Sequence, residues 1–107
     1  MATATDLTEI AMSLEGTIAS PHMERMSFKV RRIYATLAAD GLTANLKLLP
    51  DEQTLKCLTH PAAFAPVSGG WGTMGWTTMT LTELSIDELH AALENAWGHG
   101  SAIKAAR

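Results

Sequence analysis

Four histidines, one cysteine, a glycine-rich loop and a group of cations are the side chains here whose types and spacing could do chemistry. A bound metal needs ligands brought to one helix face or one loop, and His22, His60, His90 and His99 show no H-x-x-x-H or other ligand spacing. No metal is expected. His90 falls at the margin of an apolar helical stripe, where packing against the core is the expected outcome. Cys57 has no neighbouring base to favour its thiolate, so it is expected to be half-buried and inert. Ser68-Gly69-Gly70 lacks the helix that a nucleophile elbow requires. These pieces supply no catalytic residue and no cofactor, and the expectation is a non-enzymatic binding module.

The loop Pro61 to Leu81 carries a literal G-x-G-x-x-G at Gly70, Gly72 and Gly75, together with Trp71 and Trp76. That motif holds a dinucleotide only where a strand leads in and a helix leads out, so that pyrophosphate meets the helix N-terminus. After Gly75 comes Trp76-Thr77-Thr78-Met79-Thr80-Leu81, a period-two run that reads as a strand. The expected structure is a tight strand-to-strand connection whose tryptophans anchor it against the sheet.

The cations are grouped. Arg25, Lys29, Arg31, Arg32 and Lys47 are five of the eight basic residues, and no acidic residue lies between Arg25 and Asp40. The net charge of -3 gives no global attraction to nucleic acid or anionic lipid, so any such binding must come from a local patch. With 107 residues the chain can bury one core, which implies a single domain over 1–107. Without an apolar run of about 18 residues, a signal-peptide pattern or a second cysteine, a cytoplasmic protein with no membrane partner is expected.

These residues must be positioned by elements that the pattern marks. Leu7, Ile10, Ala11 and Leu14 form one stripe of a first helix over 6–14, with Asp6 and Glu9 spaced as a capping box and Gly16 beyond its end. Thr17 to Met26 reads as a connection. Strands follow at 27–31, with Phe28 and Val30 inward, and at 33–38, where Ile33, Ala35 and Leu37 alternate against Tyr34 and Thr36. Arg31-Arg32 must turn the chain between them. Asp40-Gly41 reads as a type I′ turn into a strand over 42–48, with Ala44, Leu46 and Leu48 inward. Pro50 opens a short helix to about Thr59 with Leu55 and Leu58 facing in. Phe64 to Ser68 is a fourth strand, which Pro66 assigns to an edge or a bulge, and 76–81 a fifth. In the last helix Ser85 and Glu88 make a capping box, Leu84 and Leu89 a staple, and Ile86, Leu89, Leu93 and Trp97 a stripe running to Gly98; Ser101 to Arg107 reads as a frayed tail. The expected fold is α+β in two layers, α-β-β-β-α-β-β-α, with a mainly antiparallel five-stranded sheet and the helices on one face.

Laid out in this order, the chain resembles the MmcQ/YjbR family along nearly its whole length. The resemblance rests on Pro21-His22, Ser27-Phe28-Lys29-Val30, Ile33-Tyr34-Ala35-Thr36-Leu37, Leu46-Lys47-Leu48 with Pro50 and Glu52-Gln53, His60-Pro61 with Ala63-Phe64, Pro66-Val67, and Trp71-Gly72 with Gly75-Trp76-Thr77. It implies a small α+β fold of frataxin/CyaY-like shape and a DNA-binding role described as a double wing. Arg31-Arg32 departs from the family pattern, which usually has glycine there, and this bears on the shape of that hairpin.

If one sheet face is open, alternation places Lys29, Tyr34, Thr36, Asn45, Lys47, Trp76, Thr78 and Thr80 on it. Cations interleaved with rings suit nucleic acid, since bases stack while cations meet phosphate. The expected DNA contacts are Arg25, Lys29, Arg31, Arg32 and Lys47, weak and salt-sensitive, with Tyr34, Trp71 and Trp76 as stacking or surface aromatics. The acidic total favours the other reading, a protein-interaction or homodimeric domain.

Overall fold

A computed structural model describes residues 1–102. The chain runs through α1 (Ala4–Ser13), β1 (Ile18–His22), β2 (Arg25–Lys29), β3 (Ile33–Leu37), β4 (Thr43–Lys47), α2 (Pro50–Thr59), β5 (Phe64–Pro66), a one-turn α3 (Gly70–Thr73), β6 (Trp76–Thr80), a 3-10 turn (Leu81–Glu83) and α4 (Ile86–Ser101). All strand pairs are antiparallel, in the order β1-β2-β3-β4-β6-β5. The α+β class with one antiparallel sheet and helices packed on it is as expected; the strand count is six rather than five.

The extra strand is β1, which lies where a connection was expected. Every residue of β1 is exposed, so it has no apolar alternation to betray it. It is held by pairing with β2 through a turn at Met23-Glu24, where Met23 takes a left-handed φ of 60°. Pro21 is tolerated because β1 is an edge strand. At the opposite edge lies β5, where Pro66 was expected to place it.

The core lies between the sheet and the pair α1 and α4. Leu7, Ala11, Leu89, Leu93 and Ala96 meet Phe28, Ala35, Ala44, Leu46 and Met79, all fully buried. Helix α1 begins earlier than expected: Thr3 Oγ1 accepts the Asp6 N–H and Asp6 Oδ2 accepts the Thr3 N–H, so the box is Thr3/Asp6 rather than Asp6/Glu9. Both registers have the same spacing. Tertiary contact selects the earlier one, because buried Ala2 donates its N–H to Leu84 O at 2.9 Å and is pinned there. Helix α4 has its Ser85/Glu88 box and buried Leu84 and Leu89 as expected. It runs past Gly98 to Ser101, and Gly100 lets it close on the β2–β3 hairpin, where an added Cβ would lie 3.0 Å from Tyr34 Cβ. The expected tail therefore begins inside the helix, and 103–107 lie outside the described residues.

Helix α2 has the expected bounds but the opposite rotation. Leu55 and Leu58 are 63% and 75% exposed. Gln53 faces inward instead, and its Nε2 donates to Gly72 O at 2.9 Å, Trp76 O at 3.0 Å and Thr77 Oγ1 at 3.2 Å. A buried amide with its hydrogen bonds met holds the helix more specifically than an apolar contact would. The β3–β4 turn also differs. Only Gly41 of the expected pair takes positive φ, and Asp40 Oδ1 accepts the Leu42 N–H at 2.9 Å, closing an aspartate turn instead of type I′.

Candidate nucleic-acid interface

Register alone assigns the face of the sheet opposite α1 and α4. Ser20, Ser27, Thr36, Asn45, Thr78 and Ala65 lie across it in one row; Ile18, Lys29 and Ile33, and beyond them Lys47 and Trp76, occupy one end, while His22, Arg25, Thr43 and Thr80 occupy the other. No strand contains an aspartate or glutamate. All 11 acidic residues of the chain sit on helices, turns or the segments joining them. A chain of net charge -3 thus presents a carboxylate-free sheet bearing Arg25, Lys29 and Lys47.

Polar side chains on this face are organised. Arg25 Nε donates to Thr36 Oγ1 at 2.8 Å and its Nη2 to Thr36 O at 3.2 Å, which ties the guanidinium to β3. Thr78 Oγ1 donates to Asn45 Oδ1 at 2.8 Å. At the β5–β6 end, Trp71 meets Trp76 edge to face, with centroids 6.5 Å apart and planes at 75°. Between Arg25 and the tryptophans lies a groove of about 360 Å³, lined by His22, Arg25, Ile33, Thr36, Asn45, Val67, Trp71 and Trp76.

The expected contact residues separate into distinct environments. Arg25, Lys29 and Lys47 share the open face, and Arg31 is exposed in the three-residue β2–β3 turn at the Lys29 end. Arg32 is engaged elsewhere: Nη2 donates to His99 O at 2.8 Å and Ala102 O at 2.9 Å, capping the C-terminus of α4. Tyr34 is fully buried and cannot stack a base. The cause is a β-bulge. Phe28 pairs with Ala35 but Lys29 pairs with Ile33, so Tyr34 is the unpaired extra residue and turns into the core. Its hydroxyl lies 2.9 Å from Thr17 Oγ1, and burial pushes its pKa up. The same bulge brings Ile33 to the open face, reversing its expected side.

Trp76 is half-buried as an anchor, whereas Trp71 is 62% exposed, a surface aromatic instead of a packed loop anchor. The expected direct connection between β5 and β6 includes the turn of α3. Its glycines answer to packing: a Cβ on Gly72 would overlap the Val67 carbonyl, and one on Gly75 the Leu48 carbonyl. His22, Ile33 and Val67 join the groove although none of them was expected on the open face. His22 could have been found only by recognising β1.

Glu24 and Asp40 stand in the turns at the Arg25 end of this face, and two histidines pair with carboxylates elsewhere. His99 Nε2 sits 2.8 Å from Glu52 Oε1, and His60 Nε2 3.8 Å from Glu88 Oε2, both pairs joining helical elements. Burial alone would raise the Glu52 carboxyl, but the Leu49 N–H and His99 together hold it below its ordinary value. His90 is exposed rather than packed. Cys57 is half-buried, and burial pushes its thiol up, away from reactivity. Among the described residues, no three His, Cys, Asp or Glu side chains gather to hold a metal, and no helix is long and apolar enough to cross a membrane.

The family model described as YjbR matches residues 12–99. Among solved structures, the chain is similar to the crystal structure of Deinococcus radiodurans protein DR2400, a DUF419 domain. The two are 24% identical with a TM-score of 0.79, over 97% of this chain and 84% of that one, which is a likeness of fold. None of the curated proteins matches the chain.

Proposed function

The chain belongs to the YjbR family, and from that premise we propose that it is a non-enzymatic module that binds DNA or a related nucleic acid on its open sheet face. The observation that carries this reading is the segregation of charge. Arg25, Lys29 and Lys47 stand on a sheet from which every carboxylate is absent, and Arg31 extends the patch from the adjoining turn. Such a patch attracts phosphate although the whole protein repels it. The contact is weak, since few phosphates are within reach. Neutralising about three to four on duplex DNA gives a slope of log K against log salt near -3. Fluorescence anisotropy with a labelled oligonucleotide, titrated over a range of salt, tests it. The expected result is measurable binding at low salt that Lys29→Ala with Lys47→Ala weakens, lowering the slope by about one per cation removed. Absence of binding at low salt, or binding indifferent to salt and to both substitutions, overturns the reading.

A protein-interaction or homodimeric role has one observation in its favour, the exposed Leu55 and Leu58 one turn apart on α2. Sedimentation of the protein beside Leu55→Ser with Leu58→Ser tests it: a dimer that the substitutions dissociate supports this reading, and a monomer in both cases removes the homodimer.

A further inference from the structure

We infer that the groove beside Trp71 seats one unpaired base of a single-stranded nucleic acid, an inference that rests on the nucleic-acid reading above and names its substrate class. Three features converge on it. The first is Trp71 itself. It is 62% exposed, yet it is held firmly: Gly72 is packed against the Val67 backbone, the Gly72 carbonyl accepts from Gln53 at 2.9 Å, and the ring meets Trp76 at a steep interplanar angle. An indole fixed in place with much of its surface in water offers a platform whose ordering is already complete before a ligand arrives.

The second feature is the placing of the Arg25 and Asn45 donors in a groove whose wall is otherwise largely apolar. Arg25 spends Nε and one Nη2 hydrogen on Thr36, leaving further guanidinium N–H groups. Asn45 accepts the Thr78 hydroxyl at Oδ1 and keeps its amide N–H groups to offer. A base presenting a carbonyl oxygen, as thymine, uracil and guanine do, matches these donors, whereas adenine has no carbonyl oxygen to offer them. The volume of about 360 Å³ is at the small end of ligand-sized pockets, suited to one base and its sugar.

The third is charge complementarity around the groove. Lys29 pairs across the sheet with Ile33, and Lys47 with Trp76, so a cation stands on the open face next to each of two lining residues. A backbone crossing the face meets these cations while a base enters between them. In a duplex both faces of every base are already stacked, and none can lie on Trp71 without being unpaired first.

The test is tryptophan quenching and anisotropy with oligothymidine, oligouridine, oligoadenosine and a DNA duplex, each with the full chain and with Trp71→Ala and Trp71→Phe. Single-stranded oligothymidine or oligouridine is expected to quench fluorescence and bind about tenfold more tightly than duplex, and the tighter of the two identifies the deoxy or ribo strand as the ligand. Trp71→Ala should lose about tenfold in single-strand affinity while Trp71→Phe retains most of it, both variants still unfolding cooperatively. Duplex bound as tightly as single strand, Trp71→Ala without effect, or oligoadenosine equal to oligothymidine overturns this inference. If the lysine substitutions still weaken binding in that case, the nucleic-acid reading survives it; failure of every nucleic acid to bind removes both.

Discussion

Arg32 caps the helix that ends at Ser101: its guanidinium donates to the carbonyl of His99 at 2.8 Å, across 67 residues of chain. A second bond reaches Ala102 O at 2.9 Å. Its neighbour Arg31 is exposed in the same turn. The two arginines therefore do different things. Arg32→Ala should lower stability by about 1–2 kcal/mol, through loss of charge-assisted bonds and of a cation at the negative end of α4. Arg31→Ala should leave stability within about 0.5 kcal/mol while weakening oligonucleotide binding. Urea denaturation beside a salt titration checks both. Equal unfolding midpoints for the two variants would show that the Arg32 cap carries no weight.

Tyr34→Phe removes a hydroxyl 2.9 Å from buried Thr17 Oγ1. The variant leaves Thr17 without that partner, which should cost about 1–2 kcal/mol. Oligonucleotide affinity should not move, since the ring is fully buried. A loss of affinity in a variant that remains folded would place Tyr34 in the interface after all.

Glu52 ties three things together: it accepts the Leu49 N–H at 2.9 Å at the start of α2, pairs with His99 at 2.8 Å on α4, and is held below its ordinary pKa of 4.5. A carboxyl depressed in the folded state contributes stability that is present above pH 4.5 and lost as pH falls through its lower folded value. Glu52→Gln should thus be less stable near neutrality by about 1 kcal/mol and show a flatter acid limb. Thermal melts between neutral and acidic pH check this. Parallel acid limbs for the two proteins would mean that Glu52 is not a source of the dependence.

The glycine loop yields the sharpest contrast between neighbours. Gly72→Ala and Gly75→Ala should each destabilise by about 2–4 kcal/mol, because their Cβ atoms would overlap backbone carbonyls and Gly75 also has φ of +107°. Gly70→Ala meets no atom within 4 Å and should stay within about 0.5 kcal/mol of the parent. Dinucleotides should produce no saturable change in tryptophan fluorescence; micromolar binding would restore a cofactor role to the G-x-G-x-x-G.

The sequence by itself determined whatever depends on residues within one or two turns of each other. The Ser85/Glu88 box and the Leu89 and Leu93 stripe define α4, and the alternation of Ala44 and Leu46 against Asn45 and Lys47 defines β4 and its two faces. Thr36, Asn45, Lys47, Trp76, Thr78 and Thr80 could be assigned to one face because period two is a local rule. What only the tertiary structure decided depends on partners far along the chain. Strand β1 is fully exposed and exists through pairing with β2, so no periodicity announces it. A single bulge exchanges the faces of Tyr34 and Ile33, since one inserted residue inverts everything up to the end of the strand. The rotation of α2 follows from where Gly72, Trp76 and Thr77 present acceptors to Gln53, which outweighs the outward turning of Leu55 and Leu58. Arg32 leaves the cationic group for the same reason: the carbonyls it caps are brought to the hairpin by the packing of Gly100 against Tyr34 and by the Arg32 N–H bond to Gly100 O, a close approach that no local pattern in the sequence encodes.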